Sequence, residues 1–220
     1  MTQTRTAPRH VFALIPMKPF GQAKSRLRDS VPHAAREALA LAMFERVVYA
    51  ASSCSVVQAV CVLTPGVDVA LHARRVGAHV LNDVDVDPPS LAAQIDAALP
   101  QLAALGADAA LVLMADLPYV ASGDIAQLVA ALARVDVAMA ADARGASTNA
   151  LALRLPAPML TAFGDPSSFA LHARRARALE LTTIELSNPR LAHDVDVSED
   201  LPEDATWATE GREFFTKLPH

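Results

Sequence analysis

Short apolar runs alternate with longer stretches of helical periodicity along nearly the whole chain, and few folds accept that order. Val11–Ile15, Val56–Leu63, Ala78–Leu81, Ala109–Met114, Val135–Ala141, Ala150–Leu155 and Thr182–Leu186 read as strands. Continuous apolar runs of this kind, as in Val11–Ile15, fit strands covered on both faces. Between them, His33–Ala51 places Leu39, Met43, Val47 and Ala50 at helical spacing. Asp68–Arg75, Ser90–Leu105 (with Ser90 as N-cap), Ser122–Arg134 and Ser168–Leu179 also read as helices. Strands alternating with helices at this spacing predict an α/β fold with a mostly parallel sheet covered by helices on both faces.

No fixed-period repeat or low-complexity linker interrupts the pattern, and 220 residues suit one such domain. The expected organisation is a polar extension over 1–10, one domain over 11–201, and a polar tail over 202–220 that wraps the surface. A hydrophobic content of 52 % suffices for a sizeable core. A formal net charge of -5 argues against a general nucleic-acid binder, which would present a broad basic face. Nothing approaches the ~18 apolar residues of a membrane span, and the N-terminus lacks the pattern of a signal peptide. The two cysteines are too few for a disulfide scaffold and fit a reducing cytoplasm. Cys61 reads as a core residue and Cys54 as a surface thiol.

Parallel sheets bind ligands beyond the carboxyl ends of their strands, which directs attention to three segments. The loop after the first strand carries Lys18, Lys24 and Arg26. These cations suit a triphosphate, with Arg as a fork and Lys as a point charge. The loop is neither a Walker motif nor a dinucleotide fingerprint, and a solvated loop with scattered charges remains the plain alternative. Asp116 follows the apolar run Ala109–Met114, where it is either a metal ligand or a turn residue before Pro118. Asp194 and Asp196, two apart on an extended segment, face the same way. Two such carboxylates repel unless a cation lies between them, although a solvated loop is the commoner reason for Asp-x-Asp. Ser198 reads as the cap of a following helix. Together, three Asp and three cations at one sheet edge suggest phosphoryl or nucleotidyl transfer assisted by metal. His10, His33, His72, His79 and His220 show no partner pattern and read as surface or capping residues.

These residues lie in five ordered motifs: IPMKPFGQAKSRL, MADLP, DARGASTNAL, FGDPSSFALH and HDVDVSEDL. With them the chain resembles the 2-phospho-L-lactate guanylyltransferase family of coenzyme F-420 biosynthesis, across about residues 11–201. That family also includes phosphoenolpyruvate and 3-phospho-D-glycerate guanylyltransferases. The resemblance implies a GT-A-like nucleotidyltransferase fold. It implies condensation of GTP with a small phosphorylated carboxylic acid, giving a guanylylated diphosphate and pyrophosphate. It assigns Lys18, Lys24 and Asp116 to catalysis, the two lysines meeting the nucleotide phosphates together with Arg26. Asp116, Asp194 and Asp196 would hold Mg²⁺, with Mn²⁺ as the alternative. Thr148, Gly164 and a serine of the FG motif would bind the acid. A homodimer is left open.

The chain departs from the family pattern in three places. The usual FGxGS reads Phe163-Gly164-Asp165-Pro166-Ser167-Ser168, and the spacing to His172 favours Ser168 over Ser167 as the acid-binding hydroxyl. One glycine is missing from Asp142-Ala143-Arg144-Gly145-Ala146-Ser147-Thr148-Asn149, and Ser90-Leu91-Ala92 stands where GLN is usual. His172 reads as structural, orienting the Gly164–Ser168 loop. Two other readings stand beside the guanylyltransferase: a related transferase using CTP or a sugar nucleotide, and a non-catalytic binding protein of the same fold.

Overall fold

The computed structural model describes residues 6–81 and 90–201. The expected tail over 202–220, which includes His220, and residues 1–5 of the N-terminal extension lie outside the described residues. The strands are β1 (Val11–Pro16), β2 (Val57–Leu63), β3 (His79–Leu81), β4 (Ala109–Leu113), β5 (Val137–Ala141), β6 (Thr148–Arg154) and β7 (Thr183–Glu185). The helices are α1 (His33–Ser52), α2 (Val67–Arg75), α3 (Leu91–Ala104), α4 (Ser122–Ala131), α5 (Ser168–Ala178) and the short α6 (Pro189–Ala192). The strands form one sheet in the order β3-β2-β1-β4-β6-β5-β7.

β4 shows how the sequence builds this sheet. All of its residues are buried, so neither face reaches water. Ala109, Leu111 and Leu113 face a layer containing Phe44 and Val47 of α1 and Ile125 and Leu128 of α4. Ala110 and Val112 face the opposite layer, with Ile95, Leu99 and Leu102 of α3 and Ala176 of α5. The period-2 alternation of a strand therefore feeds two cores at once, which explains the absence of polar residues in the run.

β1 pairs in parallel with both β2 and β4, whereas β6 runs antiparallel to both β4 and β5. This reversed strand has a functional consequence. The start of β6, Thr148 and Asn149, reaches the same sheet edge as the ends of β1 and β4. The chain also changes direction across the sheet at the β1/β4 junction, where α/β sheets open a crevice.

Three local expectations are corrected. Cys54 is buried, packed with Val47 and Val48 in the α1 layer, and not a surface thiol. His72 is also buried, set edge-on against Phe20 and Phe44, with Arg75 at its Nδ1. Ser198 does not cap a helix. The Asp200 carboxylate accepts from the amides of Asp196 and Val197 and closes a single 3-10 turn, Ser198–Asp200.

Candidate functional site

A cleft of about 1100 Å³ opens at the β1/β4 edge. One wall is the loop after β1, with Lys18, Lys24 and Arg26; the other includes Phe163, Gly164, Asp165 and Arg175. Asp116 and Asp196 lie at its floor.

The β1 loop is folded into two 3-10 turns, Phe20–Gln22 and Ser25–Leu27. Lys24 joins them with φ 53°, a left-handed conformation uncommon outside glycine. Leu27 next to it is fully buried, packed with Val31, Leu39, Met43 and Val195. Val195 lies between Asp194 and Asp196, so a single apolar cluster pins both the basic loop and the acidic segment.

Residues that the sequence reading did not single out carry the acidic segment. Asp124, fully buried on α4, accepts from Arg190 Nε at 2.8 Å and NH2 at 2.6 Å, and from Asn188 Nδ2 at 2.7 Å. Asn188 also caps α6. Asn149 Nδ2, on reversed β6, donates to Leu191 O at 3.0 Å and to Asp194 Oδ1 at 3.2 Å. Finally, Val195 N donates to Asp116 O at 3.3 Å. The signal for α6 was present in Asn188-Pro189, an N-cap residue followed by proline at the first helical position. Nothing in the spacing pointed to Asp124 as its partner.

Lys24 Nζ bridges two carboxylates, at 2.6 Å from Asp116 Oδ2 and 3.2 Å from Asp196 Oδ1. Arg26 NH1 adds a contact at 2.9 Å to Asp196 Oδ2. Burial opposes the charge on Lys24, but Asp116 and Asp196 outweigh it and hold its pKa above the ordinary value. Lys18 is exposed on the cleft wall and has no ion partner among the described residues. Asp116 Oδ1 is buried without a hydrogen-bond partner. The Asp194 carboxyl is pushed up to about 6, first by burial and then by the neighbouring Asp116, with Asp196 adding to it.

Of the three expected carboxylates, Lys24 joins Asp116 and Asp196 in the cleft, whereas Asp194 does not line the cleft and accepts from Asn149. Among the described residues no group of three His, Cys, Asp or Glu side chains is placed to enclose a metal ion. The Lys24 ammonium lies between Asp116 and Asp196. The site still suits a divalent cation. Asp116 Oδ1 is an unsatisfied acceptor, burial and then Asp116 raise the Asp194 carboxyl, and Mg²⁺ ordinarily takes one or two carboxylates plus phosphate oxygens.

Asp194 gives a stability prediction. Its folded pKa lies above its ordinary value of 3.8. The folded state therefore binds more protons than the unfolded chain between about 4 and 6, and stability falls as pH rises through that window. In chelator, Asp194→Asn is expected to raise Tm above pH 6 and to leave it unchanged near pH 4. An increase of several degrees corresponds to ~1–2 kcal/mol for a chain of this size. An Asn variant that is less stable at pH 8 would show that the crowding is not repulsive.

The residues that the resemblance assigns to the acid divide between the cleft and the interior. Thr148 and Ser168 are each 2 % exposed, and neither lines the cleft. Thr148 N donates to Ser168 Oγ at 2.9 Å, and Thr148 Oγ1 lies 2.9 Å from His172 Nδ1. His172 Nε2 accepts from Ala162 N at 2.7 Å, so the ring proton is on Nδ1 and points to Thr148. Burial, reinforced by Arg175, lowers its pKa to about 4, which keeps the ring neutral. Thr148, Ser168 and His172 thus form a buried brace behind the wall that carries Gly164. Ser167 is exposed and bonded to Asp165 Oδ1 through both N and Oγ. Gly164 itself faces the cleft with φ 88°, and a Cβ there would stand 3.2 Å from Leu91 Cβ. The positive φ favours glycine there, and any Cβ would also press on Leu91.

His172 gives a second prediction. His172→Gln is expected to raise KM for the acceptor and lower Tm, while turnover at saturating acceptor and its pH profile hold. A loss of ~1000-fold or more that high pH rescues would instead reveal proton transfer by the ring.

Residues 11–218 match the family described as "Guanylyl transferase CofC like". The chain is 37 % identical over 201 residues to phosphoenolpyruvate guanylyltransferase of Sphaerobacter thermophilus, covering 91 % of this chain and 95 % of that protein. It is 31 % identical over 212 residues to 2-phospho-L-lactate guanylyltransferase of Methanothermobacter thermautotrophicus, covering 94 % and 90 %. Among solved structures, a protein described as a nucleotide-diphospho-sugar transferase, from Desulfovibrio desulfuricans G20, aligns with TM-score 0.70 at 16 % identity, covering 85 % and 82 %. Glucosyl-3-phosphoglycerate synthase of Mycobacterium tuberculosis, solved with Mn²⁺ and UDP, aligns with TM-score 0.58 at 15 % identity, covering 80 % and 69 %. The fold is that of the nucleotide-diphospho-sugar transferases, no helix among the described residues is long and apolar enough to cross a membrane, and the chain belongs to the CofC-like guanylyltransferase family.

Proposed function

We propose that the cleft joins GTP to a small phosphorylated carboxylic acid, in the manner of the coenzyme F-420 branch that the family implies. Phosphoenolpyruvate, 2-phospho-L-lactate and 3-phospho-D-glycerate are the acceptors of choice. A phosphate oxygen of the acid attacks the α-phosphorus, the α–β bridging P–O bond breaks, and pyrophosphate leaves. The acceptor phosphate is largely ionised at neutral pH, its second pKa being about 6, so no general base is needed. The chain must instead hold it in line and screen its repulsion from the triphosphate.

The observation that carries this reading is the pairing of Lys24 with Asp116 and Asp196 on the cleft floor. It supplies both halves of a triphosphate site: an ammonium for phosphate oxygens, and carboxylates for a divalent cation. Lys18 and Arg26 extend the cationic wall along the nucleotide phosphates. Asp116, with Asp194 and Asp196, would hold Mg²⁺ or Mn²⁺, and the ion when bound would neutralise charge on the phosphates. Gly164 offers the acid a wall free of side chain, while Thr148 and Ser168 keep that wall in place.

Pyrophosphate release with GTP and each of the three acids, against CTP, ATP and UTP, tests the reading. GTP with at least one of the acids is expected to turn over well above every other pairing. Preference for CTP with a sugar phosphate, or no turnover with any acid, would overturn it.

A further inference from the structure

Arg175 lies on α5, three residues after His172, and lines the cleft beside Gly164 and Asp165. The family-derived assignments leave it out. Its NH1 donates to the carbonyls of Leu160 and Thr161, which fastens the guanidinium to the strap ahead of Gly164. Nε and NH2 have no partner among the described residues, and neither is among the buried polar atoms lacking one. A fork held at one nitrogen therefore keeps its other donors accessible on a residue that lines the cleft. Asp165 is the carboxylate on this wall. Its carboxyl is held below the usual range, first by Ser167 and in part by the Arg175 charge. Without Arg175 the wall would repel any anion approaching Gly164.

The direction of the reaction decides what such a cation is for. An acceptor with two anionic groups must bring its phosphate toward the Lys24 and Asp116 end, where the nucleotide phosphates are expected. Its carboxylate then points across the cleft to the Gly164 wall. A planar carboxylate matches the fork of a guanidinium better than the point charge of an ammonium. We propose that Arg175 is a specificity-determining residue that receives the carboxylate of the phosphorylated acid. This rests on the function proposed above. A purely structural role, clamping the 160–164 strap, is the competing account, and the two separate experimentally.

The test measures steady-state kinetics with saturating GTP for the wild type, Arg175→Gln and Arg175→Lys. Each is assayed with the best acid and with glycerol 3-phosphate, a phosphate monoester that lacks a carboxylate. In Arg175→Gln, which keeps an N–H for the strap, KM for the acid should rise at least ~10-fold, the equivalent of one charge-assisted contact. Its kcat, its KM for GTP and its Tm should change little. The preference for acid over glycerol 3-phosphate should collapse by a similar factor, and Arg175→Lys should restore it only in part. Equal losses with both acceptors, together with a fall in Tm, would make Arg175 a clamp and overturn the proposal. An unchanged KM for the acid would overturn it as well. A wild type inactive with every acid would instead remove the proposed function, which is a separate result.

Discussion

Asp116→Asn is expected to lower turnover by at least ~100-fold, the loss that follows when transition-state stabilisation falls by ~3 kcal/mol. Asp116 sits where β4 ends, directly below the β1 loop. One of its oxygens holds Lys24 and the other is buried without a partner. An unsatisfied buried oxygen is costly unless something binds it. The amide of Asn can still accept from Lys24, but it carries no charge for a divalent cation. KM for the acid is expected to move less than turnover, because its carboxylate is assigned to the opposite wall. Asn at 116 is nearly isosteric, but it takes away from the nearly buried Lys24 its charge partner at 2.6 Å, so Tm is expected to fall somewhat even as repulsion with Asp194 is relieved. Near-wild-type turnover in Asp116→Asn would remove the assignment of this carboxylate to catalysis.

The sheet was legible in the sequence because strands such as β1 and β4 are continuous apolar runs and helices such as α3 and α4 carry buried apolar residues at helical spacing. Ala109–Met114 declared itself in that way, and the structure shortens it by one residue. The direction of β6 was not legible. A strand buried on both faces reads the same forwards and backwards, so Thr148 and Asn149 could be placed at the site only through the family motif. The ends of the elements were less certain for a similar reason: Ser122–Arg134 extends beyond the helix, which closes at Ala131.

The candidate site was half legible. Charge patterning placed Lys24, Asp116 and Asp196 at one edge, and the structure brings their side chains into contact. It could not foresee that the cation and the carboxylates would neutralise each other, because that depends on the left-handed turn at Lys24. Nor could motif spacing distinguish a hydroxyl that faces the substrate from one that braces the wall behind it. Thr148 and Ser168 have the right neighbours in sequence, yet both are buried: the Ser168 hydroxyl accepts from the Thr148 amide and the Thr148 hydroxyl meets His172. Asp124 and Arg190 are further apart in the chain than any motif reaches, and only packing joins them.

Lys24→Met is expected to lower kcat/KM for GTP by ~100-fold, with KM for the acid within a few-fold of wild type. Two charge-assisted contacts to phosphate oxygens, each ~1.5 kcal/mol, add to that factor. The same substitution has a second effect of opposite sign on metal binding. Lys24 Nζ lies between Asp116 and Asp196, and its side chain is 8 % exposed. Met fills much of the same volume and carries no charge, so the two carboxylates lose the cation that screens them. In chelator at pH 8 the variant is expected to be less stable than wild type, since breaking a half-buried pair leaves uncompensated charge. Added Mn²⁺ should then raise its Tm by more than it raises that of the wild type, because the ion takes over the screening that the ammonium provided. A wild type that gains as much from Mn²⁺ as the variant would show that Lys24 and the metal do not share these carboxylates. A selective loss of acid binding in Lys24→Met would move the β1 loop to the acceptor side of the cleft.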